Sequence, residues 1–408
     1  MTPLASLAVL SMHTSPLDQP GRGDSGGLNV YVRQLTAALA RSGTRCDVYT
    51  RASSPAQPAM VDVEPGVVVH HVAAGPVAGM AKEDLPEVVG EFTSAVLDRM
   101  ARGFPAQAIH ANYWLSGVAG HALKHELELP LLTTFHTLAA VKVGGDLESP
   151  GRRLAEAQVL GCSDAVLASC VVEAEQIGSI DGADPSRIEI VAPGVDRALF
   201  SPGDRAQARR AVGLPTGVPL LLFVGRIQPL KGVALAVRAL AELSSLPDAV
   251  LVVVGGPSGA DGQAEVDRVH ALVGELGLGD RVHFVPPQPH HLLSSYYRAA
   301  DLCLVPSRSE SFGLVALEAA ACGTPVVAAA VGGLLTLVDH GRTGFLVEGR
   351  DPADFAAYAA EVLHHPALAA DLAARASARA GAYTWRRAGA AVQALGDRLT
   401  ARSLVECR

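Results

Sequence analysis

Two glutamates eight residues apart, Glu310 and Glu318, stand in SESFGLVALEAAACGTP among small and apolar neighbours. A run that otherwise favours burial carries carboxylates at a cost unless each has a partner or a task. DLCLVPS reads as a strand, RSESFG as its loop, and LVALEAAAC as a helix that stops at Gly323 with Pro325 beyond. The helix then opens at Ser311, Phe312, Gly313 and Leu314, whose backbone N–H groups suit an anion. Glu318 lies one turn inside, placed to accept from a ribose diol, and Glu310 lies in the loop, placed to serve chemistry. An exposed helix edge and a loop charge are the plain alternatives.

FVGRIQPLKG puts Arg226 and Lys231 just past another strand end, beside Gly225 and Gly232. Two cations there could hold a diphosphate whose charge would otherwise oppose its departure. The first strand ends at His13 and runs into HTSPLDQPGRGDSGGLNVYV, where Gly26 and Gly27 precede a helix beginning near Asn29. This glycine pattern is neither G-x-G-x-x-G nor a P-loop, which argues against NAD or ATP as a cofactor. His136 closes LLTTFH at a strand end; His13 and Thr14 are lesser candidates of the same kind. There is no D-x-D pair, and the six cysteines fall in no C-x-x-C or C-x-x-H spacing. No metal and no cofactor are therefore expected, with five cysteines as small buried hydrophobes and Cys407 as a frayed tail residue.

The elements that position these groups follow from the chain as a whole. At 408 residues it exceeds what one hydrophobic core supports, so two domains are expected. Apolar residues make up 49% and charged ones 18%, a composition for buried sheets. A net charge of −8 gives no basic footprint for nucleic acid. Every apolar run is cut well before the ~18 residues of a membrane span, and the start lacks a basic leader, so a soluble, cytoplasmic protein is expected. Short β-rich runs (LAVLSMH, AQAIHAN, PLLTTFH, LLLFVGR, AVLVVVGG) alternate with segments of helical period, the pattern of parallel strands buried on both faces. The expected fold is α/β, with two doubly wound domains: residues 1–195, a linker at 196–216, a second domain at 217–383, and a helix at 384–408 returning to the first. Ligands of such sheets bind outside the carboxyl ends of the strands.

The spacing from Glu310 to Glu318, the Arg226/Lys231 pair and the Gly26–Gly27 loop together resemble the retaining GT-B glycosyltransferases of family 4. LSMHTSPLDQPGRGDSGGLNVYV, YWLSG, HTLAAVK, GRIQPLK and GGPSG resemble more closely its mycothiol-biosynthesis branch, across nearly the whole chain. The resemblance implies two Rossmann-like domains facing across a cleft, and transfer of N-acetylglucosamine from UDP to 1L-myo-inositol 1-phosphate without a metal. It implies donor binding by Gly26, Gly27, Arg226, Lys231, Glu310, Ser311, Phe312, Gly313, Leu314 and Glu318. His136, Glu310, Arg226 and Lys231 would serve catalysis. Lys82, Tyr113, Thr137 and Arg152 would hold the acceptor phosphate, and Asn29 the cyclitol hydroxyls. The partners implied are a nucleotide-sugar donor and a small polar acceptor, with a homodimer left open. Leu28, Ala111 and Val143 depart from the branch on the acceptor side, so another small acceptor (an aminocyclitol, a sugar or a thiol) stays open. An epimerase or phosphorylase and a non-catalytic nucleotide-sugar sensor are the rival readings; UDP release with and without acceptor separates them.

Overall fold

The computed structural model describes residues 3–141, 150–259 and 261–407, and these divide into two compact units, each with its own sheet. The first unit comprises the residues up to Asp18, Leu28–Gly194, and those from Trp385 onward; the second comprises Gln19–Gly27 and Val195–Thr384. The glycine-rich loop thus belongs, by its contacts, to the second unit although it lies early in the chain.

The first sheet contains β1 (Ser6–Leu10), β2 (Arg45–Arg51), β3 (Met60–Glu64), β4 (Val67–Val72), β5 (Ala108–Asn112), β6 (Leu131–Thr134), β7 (Ala165–Ala168) and β8 (Ile188–Ile190), in the order β3-β4-β2-β1-β5-β6-β7-β8. All its pairs are parallel except β3 with β4. The edge strand β3 is partly exposed and carries Asp62 and Glu64, so the continuous apolar run that marks its buried neighbours is absent from it. The second sheet contains β9 (Leu220–Val224), β10 (Val250–Val254), β11 (Val282–Val285), β12 (Leu302–Val305), β13 (Val326–Ala329) and β14 (Phe345–Val347), in the order β11-β10-β9-β12-β13-β14. Runs such as LLLFV and VLVVV are buried on both faces, as parallel strands between helices must be. Both sheets reverse their winding at one place: β1 lies between β2 and β5, and β9 between β10 and β12. Those are the topological switch points at which such sheets take ligands.

The stretch read as a linker and the final helix are both built into the fold. Within 196–216, Asp204 caps a short helix, Arg205–Ala211, whose buried Arg209 pairs with Asp301 at 2.6 Å. The helix Trp385–Leu399 packs on the first unit: Gly389 faces Ala38, and Asp397 Oδ1 accepts from Leu4 N at 2.6 Å. Beyond it, Val405 N donates to Asp164 Oδ1 (2.7 Å) and Lys124 Nζ donates to Val405 O (3.0 Å), over a buried Lys124–Asp164 ion pair. Cys407 is therefore no frayed end, and its sulfur touches that of Cys162. Among the described residues no helix is long and apolar enough to cross a membrane.

Candidate functional site

In the second unit the candidate residues collect at the β9/β12 switch point. Arg226 follows β9 and donates from Nη1 to Ser258 Oγ (3.2 Å) and to Asp24 O (3.3 Å) in the glycine-rich loop. That loop is also held by Gln19 Nε2 on Pro287 O at 2.8 Å. Gly26 lies against the guanidinium, where an added Cβ would stand 3.2 Å from Nε, and Gly27 faces Leu314. Lys231 Nζ donates to Glu310 Oε2 at 2.6 Å, and Ser307 Oγ donates to the same oxygen at 3.2 Å. Cation and carboxylate are thus fixed as a pair just past the strand ends.

Glu310 is held by its backbone as well. Gly333 N donates to Glu310 O at 2.9 Å, and Gly332, at φ +50, approaches that carbonyl so closely that a Cβ would stand 1.8 Å from it. Gly313 turns the chain into the helix Leu314–Ala321 at φ +104, a conformation that favours glycine. Glu318 lies in that helix and is 5% exposed, with His290 Nε2 at 2.6 Å from Oε1 and Tyr297 OH donating to Oε2 at 2.9 Å. A carboxylate so buried needs partners within the protein, and these two supply them. Each oxygen keeps a second lone pair for a ligand. Burial opposes the charge on His290, but the adjacent Glu318 outweighs it and raises the imidazole above its ordinary range.

In the first unit, two strand ends carry residues in the left-handed region: Tyr113 after β5, at φ 76, and His136 after β6, at φ 62. Such backbone costs about 1–3 kcal/mol per residue and gathers at functional sites. His136 Nε2 bonds Asn112 Oδ1 at 3.0 Å, and the Asn112 amide is oriented by its donation to His110 O at 3.4 Å. Asn112 therefore receives the Nε2 proton. Burial, and then the neighbouring His110 and His13, pull the His136 imidazole down to about 3. Part of the residue still reaches the surface, which moderates the shift without reversing it. His136 is a neutral, oriented ring near pH 7.

Around Tyr113 the four expected phosphate-binding residues do meet. Arg152 lies 5.1 Å and Lys82 5.9 Å from its ring centroid, and Arg152 Nη2 donates to Thr137 O (3.0 Å) and Oγ1 (3.3 Å). The guanidinium is 2% exposed and already paired with Glu156 at 2.7 Å, while Glu156 Oε2 accepts from Ala139 N at 2.9 Å. Arg152 and Lys82 thus both lie against the Tyr113 ring, and among the described residues Lys82 has no carboxylate partner. Asn29, expected at the cyclitol hydroxyls, is 1% exposed, and its Nδ2 donates to Ser15 O at 2.6 Å while Thr14 Oγ1 donates to its Oδ1 at 3.3 Å. It fixes the turn after β1. Ala111 is buried inside β5, Leu28 packs on the first unit's core, and Val143 lies outside the described residues.

Sequence reasoning missed Ser258, His290, Tyr297 and Asn112, which reach the candidates from other elements, and also Ser307 and Glu156, which lie three and four residues from Glu310 and Arg152. It also missed a cluster of possible metal ligands, His121, His125, Cys162 and Cys407, contrary to the expectation of none. Three separate segments supply them, so no local spacing announces the set.

Comparisons with known proteins fall in the same two halves. Residues 26–194 match the "Glycosyl transferase 4-like domain" and residues 204–379 match "Glycosyl transferases group 1". The chain is 48% identical over 397 residues to D-inositol 3-phosphate glycosyltransferase 2 of Catenulispora acidiphila, covering 94% of this chain and 93% of that one. It is 49% identical over 387 residues to D-inositol 3-phosphate glycosyltransferase of Mycolicibacterium smegmatis, covering 93% and 88%. Among solved structures, sucrose-phosphate synthase from Thermosynechococcus elongatus matches at TM-score 0.91 and 35% identity, covering 97% of this chain and 99% of that one. Anabaena HepE, solved with UDP and glucose, matches in fold at TM-score 0.77 and 21% identity, covering 97% and 100%.

Proposed function

The chain belongs to the group 1, GT4-like glycosyltransferases, and from that premise we propose that it moves a sugar from a nucleoside diphosphate to D-inositol 3-phosphate. That acceptor is the compound also called 1L-myo-inositol 1-phosphate. The sugar we assign is N-acetylglucosamine, the carrier UDP, and the anomeric outcome retention, as in the opening step of mycothiol biosynthesis. The enzyme would work in the cytoplasm.

The observation that carries the acceptor is the cationic wall on Tyr113. Lys82 and Arg152 share that ring, and with Glu156 neutralising Arg152 the Lys82 ammonium is, among the described residues, the remaining positive charge there. A phosphate monoester supplies the opposite charge and accepts from Lys82 and Thr137 together. On the donor side, Arg226 and Lys231 stand where a leaving diphosphate would develop charge, and Glu310 and Ser307 hold Lys231 in place. Oxygen of the acceptor would attack from the face that the diphosphate leaves, and a phosphate oxygen of that leaving group would take the acceptor's proton. His136, whose basicity is lowered by burial, would orient groups and would be a poor base.

A matrix of donors against inositol phosphate, free inositol and aminocyclitols tests the reading. Phosphorylated inositol should exceed free inositol by ~10² or more in kcat/KM, because the free cyclitol loses the charge-assisted hydrogen bonds to Lys82 and Thr137. Lys82→Gln should narrow that ratio by about 10- to 100-fold while leaving UDP affinity unchanged, since one charge-assisted hydrogen bond is lost. Equal rates on both acceptors would overturn the acceptor and leave the glycosyltransferase standing. A preference for an aminocyclitol would favour the alternative raised by Leu28 and Ala111.

A further inference from the structure

We propose that His121, His125, Cys162 and Cys407 form a tetrahedral site for a zinc-class divalent cation that fastens the end of the chain onto the first unit. The two histidines lie four residues apart on one face of the helix Trp114–Leu127, with their rings 5.1 Å apart. Cys162 ends the helix Pro150–Cys162, and Cys407 arrives with the tail. One ligand atom from each of the four lies within 4.8 Å of the other three. The nitrogen–sulfur separations are 2.9 Å (His125–Cys407), 3.2 Å (His121–Cys162), 3.6 Å (His121–Cys407) and 3.8 Å (His125–Cys162). A tetrahedral ion with ordinary zinc–nitrogen and zinc–sulfur bonds spaces such atoms at about 3.5 Å. Two imidazoles and two thiolates are a donor set that selects zinc over magnesium or calcium.

The backbone around the ligands is clamped as well. Lys124 Nζ donates to Cys162 O at 2.7 Å and to Val405 O at 3.0 Å, and Asp164 accepts from Val405 N at 2.7 Å. One buried ion pair therefore holds both cysteine-bearing segments in place, the kind of outer support that metal ligands require. Binding of the divalent ion would displace the two thiol protons and form two metal–sulfur and two metal–nitrogen bonds, with no electron transferred. In this structure the two sulfurs are paired as a Cys162–Cys407 disulfide; a bound ion would hold them apart, so the site belongs to the reduced chain and the disulfide is the competing, oxidised state. His121 and His125 lie roughly 12 and 18 Å along the helix from Tyr113 at its start. The role is accordingly structural.

Full-length protein, reduced and stripped with chelator, is titrated with cobalt(II) in the absence of oxygen. About one equivalent should bind per chain, with tetrahedral d–d bands and thiolate charge transfer, and zinc should displace it. His125→Ala and Cys407→Ser should each abolish the charge-transfer spectrum or cut cobalt affinity at least about 10-fold, while circular dichroism stays native. In both variants a carboxypeptidase should trim the tail faster than in the zinc-loaded wild type. Cobalt binding unchanged in His125→Ala would overturn the site. So would a wild type that binds no cobalt after reduction, with peptide mapping of the oxidised protein showing a Cys162–Cys407 disulfide.

Discussion

Burial of Glu318 beside His290 ties the stability of the second unit to the state of one proton. The folded state raises His290 above its ordinary value near 6.5, so it binds that proton more tightly than the unfolded chain does. The resulting stabilisation is fully present below pH 6.5 and is lost as pH rises through the raised value. Glu318→Gln should therefore cost about 1.5–3 kcal/mol near pH 6, the worth of a hydrogen bond between charged groups, and progressively less on the alkaline side. Denaturant unfolding of both proteins across pH 6 to 9 checks this, and a gap that widens with pH would contradict it. The carboxylates and cations themselves were legible in the sequence, since Arg226, Lys231, Glu310 and Glu318 each lie within a few residues of a strand end or inside the helix that follows one. Their partners were not. His290 and Tyr297 reach Glu318 from the helix His290–Ala299, so only packing brought them into view.

At the level of elements, the Glu310 loop is shaped from behind by a second loop, and the glycines of that loop decide whether the carboxylate meets Lys231. Gly332 holds φ +50 with its α-carbon pressed on Glu310 O, so a methyl group has neither the backbone conformation nor the space it needs. Gly332→Ala should lower kcat by roughly 10²-fold, as misplacement by about an ångström does, at a stability cost of about 1–3 kcal/mol. Steady-state rates and thermal unfolding measure the two effects, and normal turnover would show that the loop tolerates displacement. The strands and their parallel pairing could be read in advance because buried runs of Val and Leu admit few other structures. The antiparallel β3 could not: Asp62 and Glu64 interrupt its apolar run, and it gains its place from pairing with β4. Glycine pairs such as Gly332–Gly333 read as turns in sequence, and their close backbone approach to Glu310 emerges only when the loops are packed.

For the molecule as a whole, the first unit is closed by residues from both sides of the second in sequence. Trp385 packs edge-on to Tyr31 at 5.8 Å, Gly396 lies against Leu4, and Asp397 holds Leu4 N. A chain ending at Thr384 should keep hydrogen-exchange protection in β9–β14 and lose it in β1–β8, because Leu4, Ala38 and Tyr31 would face water. Equal protection in both sheets would show that the helix Trp385–Leu399 is dispensable. The discontinuity also sets a timetable during synthesis. After Gly194 has been made, the ribosome must add the ~190 residues of the second unit before Trp385 exists, roughly 10–40 s at cellular elongation rates. For that interval the nascent β1–β8 segment carries an apolar face that no part of the chain yet made can cover, whereas the second unit emerges almost entirely in one piece. A chaperone that surveys emerging chains would accordingly dwell on the amino-terminal half, and slowing translation through codons 195–384 would prolong that exposure.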